Sequence, residues 1–232
     1  IGALDVDFCT LPFEDRMKRI SELGFKGVQF WFTSAELGFK VFPLWTWGTW
    51  KVPVKVKPLK LSKRKILQIL KDNGLELTAI GTFMLLGDEP PKIASSARRK
   101  QIIKELESAV DYAADIGSNI VIVGSGGDRD DPKGWPPLIE MAKELCKYAE
   151  KREVTIAVEN STRLLVHDAD SLLRLIREVG SDALKANFDN GNLLLVPRDV
   201  PEAVRALKGY IAHTHVKDGI YGPGKHGEGP NG

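Results

Sequence analysis

The chain has 232 residues, with 33 Lys and Arg against 31 Asp and Glu, and a formal net charge of +2. At 43% hydrophobic and 28% charged it has the composition of a globular chain, which excludes collagen-like, low-complexity and wholly disordered classes. A charge so near neutral gives no electrostatic case for nucleic acid or a membrane surface, and no run approaches the roughly 18 apolar residues of a membrane span.

The chain repeats one unit: a short apolar run, a polar loop, then an amphipathic helix. Ala3–Cys9 reads as a strand and Phe13–Leu23 as a helix closed by Gly24. Gly27–Phe32 is the second strand. Ser62 is placed to cap a helix running to Asn73, with Gly74 beyond it. Leu75–Thr82 is a strand, and Ala94–Ile116 has helical periodicity ending at Gly117. There follow a strand at Asn119–Val123, a helix at Pro137–Lys151, a strand at Val154–Glu159 and a helix at Ala169–Val179 ending at Gly180. Leu184–Asp189 is a strand, Val200–Leu207 a short helix and Tyr210–Lys217 a strand.

Seven strands alternating with six helices call for a parallel sheet covered by helices, in one domain over residues 1–232. Doubly wound sheets and barrels both fit that alternation. The first strand is not followed by a Gly-rich fingerprint, which weakens the dinucleotide-binding version. One connection is abnormally long, roughly 29 residues between the second strand and its helix, where two to six is usual. It holds Phe39, Phe42, Trp45, Trp47 and Trp50, followed by Lys51, Lys55, Lys57 and Lys60. So many aromatics read as a lid or pocket wall, with Trp45 and Trp47 as substrate contacts, or as an extra hairpin packed over a barrel end.

The chemistry lies in the last three strands, because successive strand side chains point to opposite faces. Val154, Ile156 and Val158 form an apolar face, against Thr155, Ala157 and Glu159. Leu184, Ala186 and Phe188 do the same against Lys185, Asn187 and Asp189. In the last strand His213, His215 and Lys217 share the polar side. An open parallel sheet is apolar on both faces, whereas a barrel has a lumen face that can be polar. Barrel active sites sit at the C-terminal strand ends, where Glu159, Asp189 and His215 fall. Glu, Asp and His together suit one divalent ion: Mn²⁺, Co²⁺, Mg²⁺ or Zn²⁺. Taken singly, Glu159 could instead pair with Lys185, Asp189 could serve a turn, and either histidine could be structural. His215 is the better ligand by height. His213, one step deeper, is expected to support the ligands from behind or to fill the lumen. Lys217 could hold a substrate oxygen, with Asp218 orienting it.

These segments resemble the sugar phosphate isomerase/epimerase family of xylose-isomerase-like TIM-type barrels. The resemblance is carried by Glu22–Trp31, Asp72–Thr78, Val158-Glu159-Asn160, Asn187–Asn192 and Ala212–Asp218. It implies a (β/α)8 barrel, here ending after strand seven without helix seven, strand eight and helix eight. It also implies a divalent ion held by Glu159, Asp189, His215 and a second glutamate at the end of strand eight. In related ketose epimerases two glutamates flank the reacting carbon and move its proton while the ion stabilises an enediolate. Glu159 would then be ligand and one acid/base group; its partner and the fourth ligand are expected beyond residue 232. By itself the chain is expected to bind metal weakly and turn over slowly. Two departures stand out. Gln29 occupies a position where many members carry Glu. Asn192 occupies one where several epimerases carry a substrate-binding His, which weighs against ketose 3-epimerase activity.

The expected function is isomerisation or epimerisation of a sugar, polyol ketone or related hydroxy-carbonyl compound. The alternatives are a polyol dehydratase on the same barrel and an endonuclease IV-like phosphodiesterase. The last needs many histidines, and only His167, His213, His215 and His226 are present, none in the first half. A non-catalytic barrel kept for binding is a third class, against which the Glu/Asp/His trio speaks. Cys9 and Cys146 make no disulfide framework and the N-terminus shows no signal peptide, so a cytoplasmic location is expected, with homo-oligomerisation left open.

Overall fold

The computed structural model describes residues 1–4, 11–32, 61–87, 95–193 and 199–217. Trp45, Trp47, the rest of the aromatic connection, Cys9, Asp218 and His226 lie outside the described residues. The strands are β1 (Gly2–Leu4), β2 (Gly27–Phe32), β3 (Glu76–Leu86), β4 (Ile120–Ser125), β5 (Thr155–Glu159), β6 (Leu184–Asp189) and β7 (Ile211–His215). The helices are α1 (Phe13–Glu22), α2 (Lys63–Asp72), α3 (Ser96–Ile116), α4 (Trp135–Glu150), α5 (Ala169–Val179), α6 (Asn190–Leu193) and α7 (Val200–Ala206).

Local chemistry sets most of these boundaries. Ser62 and Ser95 cap α2 and α3, each hydroxyl accepting from the backbone N–H three residues on, at 3.3 Å. Asp168 and Ser171 form a reciprocal capping box on α5, with Ser171 N donating to Asp168 Oδ1 at 2.9 Å. Gly117 and Gly180 end α3 and α5 in the left-handed conformation, at φ 83° and 68°. β3 runs four residues past the expected Thr82, through Phe83-Met84-Leu85-Leu86, and pairs there with Gly124 and Ser125. α4 begins two residues early, at Trp135, with prolines in its first turn where the backbone N–H has no helical partner anyway.

Among the described residues all seven strands are parallel and in sequential order, β1 to β7. A doubly wound sheet reverses its order at a switch point; this one does not. It also curls. In a flat sheet β2 and β7 would lie five strand spacings apart, about 24 Å. Here Gln29 of β2 and His215 of β7 are in hydrogen-bond contact at 2.9 Å across the interior. The fold is therefore a TIM-type barrel wall, with helices outside and a lumen inside.

Two cores follow from that curvature. The large one lies between sheet and helices and contains Val121, Val123, Ile156 and Val158 facing Leu106, Val110, Leu138 and Leu145. The small one is in the lumen: Ala79, Ile122 and Ala157, all buried, from three neighbouring strands. Two of the three are alanines, which suit the crowded interior around Ile122. The lumen above Ala157 is polar, and the candidate site is there.

Candidate functional site

Glu159, Asp189 and His215 end β5, β6 and β7, and one ligand atom from each lies within 4.8 Å of the others. Their strand positions are not level. The register pairs Glu159 with Asn187, and Asn187 with His213, while Asp189 pairs with His215 two residues further on. The extra methylene of the glutamate lets Glu159 reach the Asp189–His215 row.

A bulge sets the face of the histidines. Ala186 pairs with Ile211 but Asn187 pairs with His213, so Ala212 is an extra residue in β7. Ile211 thereby packs against the outer core although His213 and His215 face the lumen. Strict alternation from Ile211 would have put all three on one face.

Two asparagines lock the strand ends. Asn160, directly after Glu159, donates to the carbonyl of Asp189 and accepts from its N–H, both at 2.9 Å. Asn190, directly after Asp189, does the same to Lys217, donating to its carbonyl at 2.7 Å and accepting from its N–H at 2.9 Å. Each side-chain amide stands in for a peptide group and extends the ladder past the strand end. A carboxylate followed by asparagine thus occurs in consecutive units, the first displaying a ligand and the second fixing the next strand.

His215 Nδ1 faces both carboxylates, 3.4 Å from Glu159 Oε2 and 3.5 Å from Asp189 Oδ2. Burial disfavours its charged form, but hydrogen bonds and charges from Asp189 and Glu159 outweigh this and push its pKa up to about 9. Burial likewise opposes ionisation of Asp189. Hydrogen bonding to His215 and the charge of Lys217 win, holding that carboxyl below its usual range. His213 is driven down to about 4 by burial and by the neighbouring His215 charge. Its Nδ1 lies 3.0 Å from Asn187 Oδ1, and its ring meets His215 edge-on at 5.5 Å between centroids.

Lys217 Nζ donates to Asp189 Oδ2. Gly191 makes room for it, since a Cβ there would come 2.5 Å from Lys217 Cβ. Asn192 Nδ2 donates to the carbonyl of Asn160 at 2.7 Å and to Glu159 Oε1 at 3.3 Å. Asn187 Nδ2 donates to Glu159 Oε2 at 3.3 Å. Glu159, Asp189, His215, Lys217, Asn192 and His213 are thus brought together; Trp45, Trp47 and Asp218 lie outside the described residues. Sequence reading missed Asn187 and Asn160 as site residues, and noted Gln29 only as a departure. Gln29 carried a usable signal, being an amide inside the apolar run Val28–Phe32.

The donor set fits a divalent cation. Two converging carboxylates, one fully buried, are balanced by the His215 imidazole, which faces both, and by the Lys217 ammonium on Asp189 Oδ2. Protons and a lysine here do the charge work that one hard or borderline ion would do.

A model of the xylose isomerase-like TIM barrel matches residues 17–230, and the chain belongs to that family. A 3-dehydroshikimate dehydratase of Bacillus anthracis is 24% identical over 213 residues, covering 90% of this chain and 70% of that one. Among solved structures, the probable 3-DHS dehydratase AsbF from the same organism superposes with a TM-score of 0.72 at 20% identity, over 92% of this chain and 71% of the other. An L-ribulose 3-epimerase superposes with a TM-score of 0.73 at 18% identity, over 97% and 73%. These superpositions concern the fold. Among the described residues no helix is long and apolar enough to cross a membrane.

Proposed function

We propose that the protein is a divalent-metal-dependent isomerase or epimerase of a small sugar, polyol ketone or related hydroxy-carbonyl compound. The reading is carried by the convergence of Glu159, Asp189 and His215 within 4.8 Å at the C-terminal strand ends. Those three residues would hold the ion. When bound, it would act as a Lewis acid toward a carbonyl oxygen and its neighbouring hydroxyl.

The chain's own residues supply the proton chemistry. Glu159 is only partly buried, unlike Asp189, so its carboxylate is the one a substrate can reach. It takes the proton from the carbon beside the carbonyl and returns one. Asn192 and Asn187 each donate an amide hydrogen to Glu159, one to each oxygen, and hold it in place. Lys217, partly exposed at the same end, is placed to hold a substrate oxygen once Asp189 is otherwise engaged. Trp45 and Trp47 are proposed to cover the substrate.

A second reading, dehydration, is favoured by the dehydratase relative. It begins with the same proton removal and ends with loss of a hydroxyl from the next carbon as water. Incubation of the Mn²⁺-loaded chain with ketoses and with 3-dehydroshikimate in D₂O separates the readings. Deuterium at the carbon beside the carbonyl without loss of water supports isomerisation, and an unsaturated product supports dehydration. Both fail if neither exchange nor an unsaturated product is found, or if Glu159→Gln turns over as fast as the wild type.

A further inference from the structure

Gln29 is buried in β2 and reaches across the interior to β7, where its Oε1 lies 2.9 Å from His215 Nε2. An amide oxygen has no hydrogen to give, so this contact is a hydrogen bond only when Nε2 carries the proton. The neutral ring then keeps its lone pair on Nδ1, the atom that faces Glu159 and Asp189. With the amide reversed, an N–H would oppose Nε2, the proton would move to Nδ1, and the lone pair would leave the centre. From these contacts we infer that Gln29 is the positioning residue for His215, fixing the ring and its proton so that Nδ1 is the ligand atom. The inference rests on the metal reading of the trio.

A second observation supports a built device. The Gln29 Nε2 is buried and has no hydrogen-bond partner among the described residues. It lies 2.6 Å from where a Cβ on Gly81 would stand. β3 therefore leaves a space that only glycine leaves, and the amide nitrogen occupies it. The β2–β3 ladder shifts register at the same place: Val28 pairs with Leu77 but Gln29 with Ala79, so Thr78 is an extra residue in β3, and Ala79 and Gly81 come to lie on the Gln29 side. The fold leaves one buried donor unsatisfied so that the acceptor meets His215.

The test compares the wild type with Gln29→Met, which keeps the shape but removes the amide oxygen, and with Gln29→Glu, which keeps an acceptor. Gly81→Ala, which crowds the amide, is the independent variant, and circular dichroism checks folding. Calorimetric Mn²⁺ affinity is expected to fall roughly 10–100-fold in Gln29→Met and Gly81→Ala, and to stay within about threefold in Gln29→Glu. In the metal-free chain, NMR is expected to show a slowly exchanging His215 Hε2 in wild type and Gln29→Glu, lost in Gln29→Met. Unchanged Mn²⁺ affinity in a folded Gln29→Met overturns the inference. If the wild type takes up no Mn²⁺, the metal reading fails; the NMR arm still decides the ring-fixing role, which an unchanged Hε2 in Gln29→Met overturns.

Discussion

Three neighbouring residues of the site respond to pH in opposing ways. His215 is raised from 6.5 to about 9, so its stabilising contribution is complete below pH 6.5 and is lost as pH climbs toward 9. His213 is lowered from 6.5 to about 4, so its contribution is complete above pH 6.5 and is lost as pH falls toward 4. Asp189 is lowered from 3.8, and its contribution disappears at still lower pH. The urea midpoint of the metal-free chain is therefore expected to peak near pH 6.5 and to fall on both sides, as a denaturation series across that range checks. A cation on His215 Nδ1 must displace its proton, so Mn²⁺ affinity should rise with pH up to about 9. Lys217 competes for Asp189 Oδ2. Lys217→Met should tighten Mn²⁺ by about 10-fold or less, given the modest worth of a partly exposed ion pair. It should also destabilise the metal-free chain. Calorimetry and urea unfolding read the two effects separately.

At the scale of the element, strand ends do the positioning. Asn160 is fully buried, and its two bonds to the backbone of Asp189 continue the β5–β6 ladder. Asn160→Ala leaves that N–H and carbonyl without their partner, which should cost about 1–3 kcal/mol in urea unfolding. Mn²⁺ affinity should fall as well, because Asp189 loses its anchor. Asn160→Asp keeps the acceptor for the Asp189 N–H and is expected to lose less stability. Much of this level was legible in the sequence. Gly27–Phe32, Ala169–Val179 and Leu184–Asp189 have the bounds that their periodicity and flanking residues imply. The Ala212 bulge was not legible, since a period of two carries no mark of an extra residue that only the partner strand reveals. α6 was not legible either, because Asp-Asn-Gly-Asn is also a turn sequence and four helical residues show no periodicity.

At the scale of the molecule, the curl of the sheet makes two unlike cores. The outer core is extensive and shared with helices, while the lumen core is Ala79, Ile122 and Ala157. Ala157→Leu adds bulk where strands converge and should destabilise by about 1–3 kcal/mol. Leu145→Ala on the outer side removes bulk and should cost about 2–5 kcal/mol. Urea unfolding of both variants tests the picture; a neutral Ala157→Leu would mean that the lumen has spare volume.

The strand–helix alternation, the parallel sheet and the polar inner face of the last three strands were determined by sequence alone. They rest on periodicity, capping and glycine stops, which act within a few residues. The trio Glu159, Asp189 and His215 was legible for the same reason, as each ends its own strand. Which groups surround the trio was decided only by tertiary structure. Gln29 and His215 are 186 residues apart in sequence, and only curvature accumulated over five strand pairings brings them to 2.9 Å. Register and curvature are properties of pairs of strands, and no single stretch of chain encodes them.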